Sequence, residues 1–330
     1  MFGQANSSFH GSGKMYHPNS YGANQDIASN KPIIQQPPQA MKKRFNLVGG
    51  VFALFIPWTL FCLVVALWSF DFRYLHPAAT VGITLIFVIP LVLMTVYKVI
   101  QSFRALVYGR YNLVDTGDKA AWTLFILISC CVALICAFLL GNYNYQMNMR
   151  GVYDVTSMNS YVGVNPSTMR GQELMDAGQV QFIDGTNLDF KYANGFKNTD
   201  VYCVAPITFK DTVLSAYDFW AVGKNCCSDS STTDFKCGEY QTTGLKGGLR
   251  MVEDADRDFY RLAVQQAEST FALKAIHPLF FYWAQDPSEL VASKERVGYQ
   301  WVLAGILGAF AFQCVLVLTA MTCFAKIRFE

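Results

Sequence analysis

Leu47–Ser69 reads LVGGVFALFIPWTLFCLVVALWS, twenty-three residues without one charge. About 20 apolar residues suffice for a helix to cross a hydrocarbon core roughly 30 Å thick. A helix apolar all round, rather than along one stripe, is a membrane span or the core of a large protein. Three further stretches, Ala78–Tyr97, Ala120–Leu140 and Tyr299–Ala325, have the same character. The whole chain is 52% hydrophobic and only 15% charged, against about 25% charged in soluble domains. The expectation is an α-helical membrane protein with four transmembrane helices at about 47–69, 78–97, 120–140 and 299–325. Pro57 and Pro90 fall inside the first two, where a membrane helix tolerates a kink.

Lysine and arginine near the helix ends set the orientation. Lys42, Lys43 and Arg44 precede the first span; Lys98, Arg104, Arg110 and Lys119 lie between the second and third; Lys326 and Arg328 follow the fourth. If every span crosses, all of these share one side, which predicts cytosolic termini. The other side receives Arg73 and a long loop, 141–298, with 14 basic and 19 acidic residues. The net charge of +2 therefore follows membrane orientation and implies no nucleic-acid partner. Residues 1–40, rich in Ser, Asn, Gln, Gly and Pro, read as a disordered cytosolic tail. Forty polar residues ahead of a 23-residue apolar run do not make a cleaved signal peptide, and Phe2 excludes N-myristoylation.

The loop is long enough to fold as a domain. In GQVQFIDGTNLDF, Asp184-Gly185 predicts a hairpin turn, and Asn194-Gly195 predicts a second. VYCVAPITF alternates Val201, Cys203, Ala205, Ile207 and Phe209 on one face, giving a three-stranded meander in which Pro206 prefers an edge. AYDFWAVG adds a candidate strand. From Asp254 the period becomes helical, with Phe259, Leu262, Ala263, Ala267 and Phe271 on one face and Asp254, Asp256 and Asp258 favouring the amino end. His277-Pro278 is the predicted stop. DPSEL has Asp286 as N-cap, Pro287 at the first helical position and Glu289 at the third. It predicts a helix running unbroken into the fourth span, and so an α+β domain anchored rigidly at its carboxyl end.

Cys203, Cys226, Cys227 and Cys237 are the loop's cysteines. An even number outside the cytosol predicts two disulfides. Adjacent cysteines are too close for ordinary bridge geometry, so two connectivities stay open: 203–226 with 227–237, or 203–227 with 226–237. No C-x-x-C is present, which disfavours both zinc and thiol redox chemistry. DADRD opens like a calcium loop but has Phe259 where glycine is required and Gln265 where glutamate is required. His277, in IHPLFFYW, reads as part of an aromatic cluster against the membrane surface. The residues predict no catalytic, cofactor or metal site. In the spans, Gln313 is placed to hydrogen-bond across helices, Ala304, Gly305, Gly308 and Ala309 form a small-residue face, and Cys130, Cys131 and Cys136 suit packing. Cys323, near the cytosolic end, is the candidate for palmitoylation.

Four spans, cytosolic termini and a large second loop bearing Cys-Cys resemble the layout of a tetraspanin. Here Ser228 follows the pair, about 22 residues join spans two and three, and the first half of the loop reads as β, so the resemblance is one of layout. VYCVAPI, YDFWAVGKNCCS, FKCGEY and HPLFFYW resemble segments of an uncharacterised family of four-span membrane proteins from dinoflagellate-like protists, over Gly171–Glu330. That resemblance implies no activity and no site residue. The sequence thus points to a non-enzymatic multi-pass protein whose stapled ectodomain binds another membrane protein, an extracellular protein or a second copy. An auxiliary channel or transporter subunit is the first alternative, and an ectoenzyme or thiol oxidoreductase the second.

Overall fold

The computed structural model describes residues 47–107, 116–210, 212–228, 234–242 and 244–327. The segment 1–40 and the basic residues Lys42, Lys43, Arg44, Arg110 and Arg328 lie outside the described residues. The chain opens with α1 (Leu47–Ser69), a short α2 (Asp71–Leu75), α3 (Pro77–Val107) and α4 (Thr116–Asn144). It closes with α7 (Pro287–Ile327). Helices α1, α3, α4 and α7 are each long and apolar enough to cross a membrane.

Two of them are longer than their hydropathy suggests. Helix α3 runs ten residues beyond Tyr97. Helix α4 passes through a π-helical turn (Tyr145–Met149) into α5 (Arg150–Thr156), so 141–156 is a helical stalk and not loop. Its asparagines and glutamine hide the signal, yet Tyr145, Met149, Val152 and Val155 are buried on one side. Helix α7 is unbroken for 41 residues, about 60 Å at 1.5 Å per residue and about twice a hydrocarbon core. Asp286 starts it, its Oδ1 accepting from Ser288 N at 2.9 Å and Ser288 Oγ at 2.7 Å, which satisfies a first-turn amide.

Helix α1 is central to the bundle: Phe61, Val64 and Val65 pack with Leu134 and Ala137 of α4 and Val302 of α7. Gln313 donates to the Ala53 carbonyl at 2.7 Å, and Trp58 Nε1 to the Ile306 carbonyl at 3.2 Å. Gly305 lets α7 approach Leu140, whereas nothing stands within 4 Å of a side chain added at Gly308; only half of the small-residue face is used. Because a helix–helix hydrogen bond in an apolar bundle contributes about 0.6–2 kcal/mol, Gln313→Leu is expected to destabilise the bundle by that amount. Denaturant titration in micelles measures it.

Between the stalks lies a mixed eight-stranded sheet, β1 (Asn159–Val164), β2 (Ala177–Phe182), β3 (Thr186–Leu188), β4 (Asn194–Asn198), β5 (Asp200–Phe209), β6 (Phe219–Lys224), β7 (Gly247–Arg250) and β8 (Leu279–Ala284). Its order is β1-β2-β7-β8-β6-β5-β3, with β4 also on β5. The pairs β1/β2 and β6/β8 are parallel and the rest antiparallel. Both faces are buried. Cys203, Ala205 and Ile207 of β5, Phe219 and Ala221 of β6, and Phe281 and Trp283 of β8 form one core. The alternate residues Tyr202, Val204, Trp220, Val222 and Phe280 meet Tyr260, Ala263, Val264 and Ala267 of α6 (Asp254–Phe271) on the other.

Several sequence expectations are corrected here. Asp184-Gly185 is a turn, closed by Thr186 N to the Ile183 carbonyl at 3.2 Å, but β2 pairs with β1 and β7 while β3 pairs with β5. The expected meander of β2, β3 and β5 does not form; the three-stranded meander is β4–β5–β6, whose tight hairpin β4–β5 turns at Thr199 rather than at Asn194-Gly195. Pro206 lies in an internal strand. Its carbonyl accepts from Asp189 N, so its ring nitrogen faces the same flank, at the gap where β4 has ended and β3 begins. The missing N–H therefore costs no ladder bond. Helix α6 ends at Phe271, with Ala272 left-handed, six residues before His277-Pro278. Leu262 is 43% exposed; Tyr260 and Val264 take the buried face. In HPLFFYW the residues from Leu279 to Trp283 form most of β8, in the middle of the sheet, and not a separate aromatic cluster.

A third small core joins sheet to stalks: Val152 and Val155 of α5, Leu249 of β7 and Val291 of α7. A side chain at Gly178 would meet the Val155 carbonyl at 2.5 Å, so β2 rests directly on the end of α5.

Candidate functional site: the stapled corner and its groove

GKNCC, residues 223–227, turns the chain off the end of β6. Asn225 is left-handed (φ 55°), a conformation asparagine tolerates better than most residues. Its backbone N–H donates to the Val201 carbonyl, its Oδ1 accepts from Val201 N, and its Nδ2 donates to Asp200 Oδ1. The two following cysteines then diverge. Cys227 bonds Cys203 on β5 (Cα–Cα 5.8 Å), and Cys226 bonds Cys237 (Cα–Cα 5.1 Å). Gly223 is required at the crossing, since a Cβ there would stand 2.6 Å from both Cys226 Sγ and Cys237 Cβ. The sulfurs of Cys203, Cys226 and Cys237 lie within 4.8 Å of one another. Both bridges consume them, leaving no thiolate for a metal while the bridges stand. Asp234 closes the polar loop, accepting from Ser228 Oγ at 2.7 Å and Ser228 N at 3.0 Å; these bonds hold its carboxyl below the usual range.

What the staple positions lies just beyond it. Gly238 (φ 61°) brings the chain against Trp283, where a Cβ would meet the carbonyl at 2.4 Å. Glu239 N donates to that carbonyl at 3.4 Å, and Glu239 Oε2 accepts from Gln285 N at 2.8 Å. Residues 240–242, 244 and 245 thereby become one wall of a groove of about 650 Å³. Residues 185–191 form the opposite wall, and Trp283 of β8 also lines it. Thr186 is 6% exposed and its Oγ1 has no hydrogen-bond partner. Asp189 accepts from Lys191 N at 3.0 Å, Phe190 is 37% exposed, and Gln241 donates to the Tyr240 hydroxyl at 2.6 Å. The groove joins aromatic faces to amide, hydroxyl and carboxylate groups, and among its lining residues there is neither histidine nor free cysteine.

Two charged residues, the buried Asp218 and the half-buried Arg250, escaped the sequence reading. Asp218, 3% exposed, accepts from Gly171 N at 3.1 Å, Ile276 N at 2.9 Å and His277 N at 3.1 Å. It clasps the segment before β2 to the segment entering β8, where Gln172 and His277 also meet. The only sequence signal was an acid inside an apolar run. Arg250 lies over the Phe281 ring at 5.7 Å, with Nη1 buried and unpartnered. Burial pushes its pKa down to about 10. The adjacent cavity, about 10 Å³, has room for one water at most. A guanidinium nitrogen buried without a carboxylate costs stability, less so on a half-buried residue, so Arg250→Met is expected to be neutral or stabilising by about 1 kcal/mol. A thermal melt of the two proteins side by side decides this; a loss above that size would show a partner for Nη1.

The chain matches no protein-family model, no curated protein and no solved structure.

Proposed function

We propose that this is a non-enzymatic multi-pass membrane protein whose sheet domain lies outside the cytosol and binds another membrane protein, an extracellular protein or a second copy of the chain. The carrying observation is the mounting. Two helical stalks, α4–α5 and α7, run from the apolar bundle into the sheet domain and grip it through Val152, Val155, Leu249 and Val291. Such a mount holds a recognition surface at a fixed height and angle, which suits docking better than turnover.

Other features support the membrane reading. At one end of the bundle Phe70 stacks on Tyr299, Tyr143 meets Trp301, and Arg73 lies between the Trp68 and Tyr145 rings at 4.7 and 4.1 Å. Aromatic residues gather in this way at a membrane–water boundary. Lys98 and Arg104 lie toward the other end of α3, which favours cytosolic termini, and two disulfides favour an oxidising space for the domain. Cys323, exposed near the end of α7, is then reachable for palmitoylation from the cytosol. Conduction is less well supported: among the described residues, the buried polar side chains of the bundle, Ser69, Thr80, Ser129, Asn144 and Gln313, carry no charge, and an ion or proton path ordinarily needs ionisable residues.

Cross-linking in native membranes, followed by purification and mass spectrometry, tests the proposal. A specific cross-linked protein, or a cross-linked homo-oligomer, is the expected result. A chain recovered alone that carries current or solute flux in liposomes would replace this reading with the channel or transporter.

A further inference from the structure

Resting on the reading of the sheet domain as a recognition module, we infer that the groove between residues 185–191 and residues 240–242, 244 and 245 binds a neutral saccharide. Its volume, about 650 Å³, is in the range of small-ligand sites. A buried polar group is normally hydrogen-bonded, yet Thr186, one of the residues along this groove and 6% exposed, has a buried hydroxyl with no partner. A ligand hydroxyl can both donate to it and accept from it. The groove's other polar lining residues include Gln241 and Asp189, the Oδ1 of Asp189 already holding Lys191 N. These groups suit the mixed donors and acceptors of a sugar ring.

The aromatic residues complete the match. Phe190 is partly exposed, and Tyr240, tied to Gln241 through its hydroxyl, is half-buried against the core. The negative face of an aromatic ring attracts the polarised C–H groups of a pyranose, as it attracts the positive edge of another ring. Charge disfavours other ligands. Asp189 and Lys191 offset each other, and neither a cluster of cations for phosphate nor a set of carboxylates for a divalent ion lines the groove. The walls are preformed. One is fixed by the pairing of β3 with β5, the other by the Cys226–Cys237 bridge and the Glu239 contacts with Trp283 and Gln285.

The test uses the full chain in lipid nanodiscs, because detergents with sugar headgroups would compete. Immobilised neutral oligosaccharides of glucose, mannose and N-acetylglucosamine are the probes. Wild type is expected to bind at least one series, with Tyr240→Ala weakening binding at least tenfold. Thr186→Val keeps the shape of the side chain and removes the hydroxyl; it is expected to weaken binding about fivefold or more while leaving the melting temperature unchanged or higher. That opposite movement separates a ligand-facing hydroxyl from a structural one. Absence of binding to every series, or binding that neither substitution changes, would overturn the inference. If no saccharide binds but native-membrane cross-linking still captures a protein, the saccharide fails and the recognition module stands. If a peptide segment of that protein cross-links at Tyr240, the groove belongs to a polypeptide instead.

Discussion

Asp218→Ala is expected to keep the sheet domain from folding, or to lower its stability by roughly 3–5 kcal/mol. The carboxylate accepts three backbone N–H groups from segments more than forty residues away in either direction along the chain. Bonds to a charged acceptor contribute about 1.5–3 kcal/mol each, and an orphaned buried donor forfeits its full desolvation. Exposure of part of the Ile276 and His277 backbone trims that sum. The remainder is still a large share of the 5–15 kcal/mol that holds a typical domain together. No substitute can enter from the backbone, because Gly171 is pressed so close to the His277 carbonyl that a Cβ there would stand 2.1 Å from it. Asp218→Asn separates the contributions. Its Oδ1 can still accept from Ile276 and His277, while its Nδ2 confronts the Gly171 N–H, so it should cost about 1–3 kcal/mol. Limited proteolysis of the three proteins ranks them. An alanine variant as resistant as wild type would show that the clasp is dispensable.

Asp218 also marks where sequence reasoning stops. The apolar helices were legible because about 20 uncharged residues have few other uses, and DPSEL because its N-cap chemistry is local. Strands buried on both faces lose the apolar–polar alternation that identifies a half-exposed strand. For that reason LFFYWA, next to a span, read as an aromatic cluster when it is β8. Asp184-Gly185 has the chemistry of a hairpin and does turn the chain, but partner choice is a long-range matter: β3 finds β5 and β2 finds β7. The π-helical turn and α5 were hidden by a polar composition that is buried along one side only. The groove draws on residues near 186, 240 and 283, a set no spacing rule connects. The cysteines were legible as four residues with two possible pairings, and the choice between these depends on how Asn225 turns the chain off β6.

Removing the two bridges separately should give nearly equal losses of stability and unequal losses of recognition. The closed loops, with sequence separations of 24 and 11, overlap only at the Cys226–Cys227 step, so their constraints on the unfolded chain are close to independent. Each is worth about 3 kcal/mol, the longer loop somewhat more, and both together about 6 kcal/mol. Substitution has to be made in bonded pairs, Cys203→Ser with Cys227→Ser, or Cys226→Ser with Cys237→Ser. A single change would leave a thiol beside its neighbour's bridge and invite the other connectivity by exchange. The first pair ties β5 to the end of β6, strands already in register through Cys203 and Gly223, and it touches neither wall of the groove. Its loss should lower the melting temperature and leave saccharide affinity in the folded protein within about twofold. The second pair holds Cys237, one residue before Gly238 and the turn that carries Tyr240. Freed of it, that wall keeps the Glu239 bonds to Trp283 and Gln285, the Lys236 N–H bond to the Cys226 carbonyl and the burial of Phe235 and Leu245, but loses its covalent tie, and ordering it on binding costs about 1–2 kcal/mol of backbone entropy per residue fixed. Affinity should then fall tenfold or more, by 1.4 kcal/mol for each factor of ten. Calorimetry and binding on the same nanodisc preparations read both quantities. Equal affinities in the two paired variants would mean that the staple sets stability alone and that the groove wall is held by the sheet.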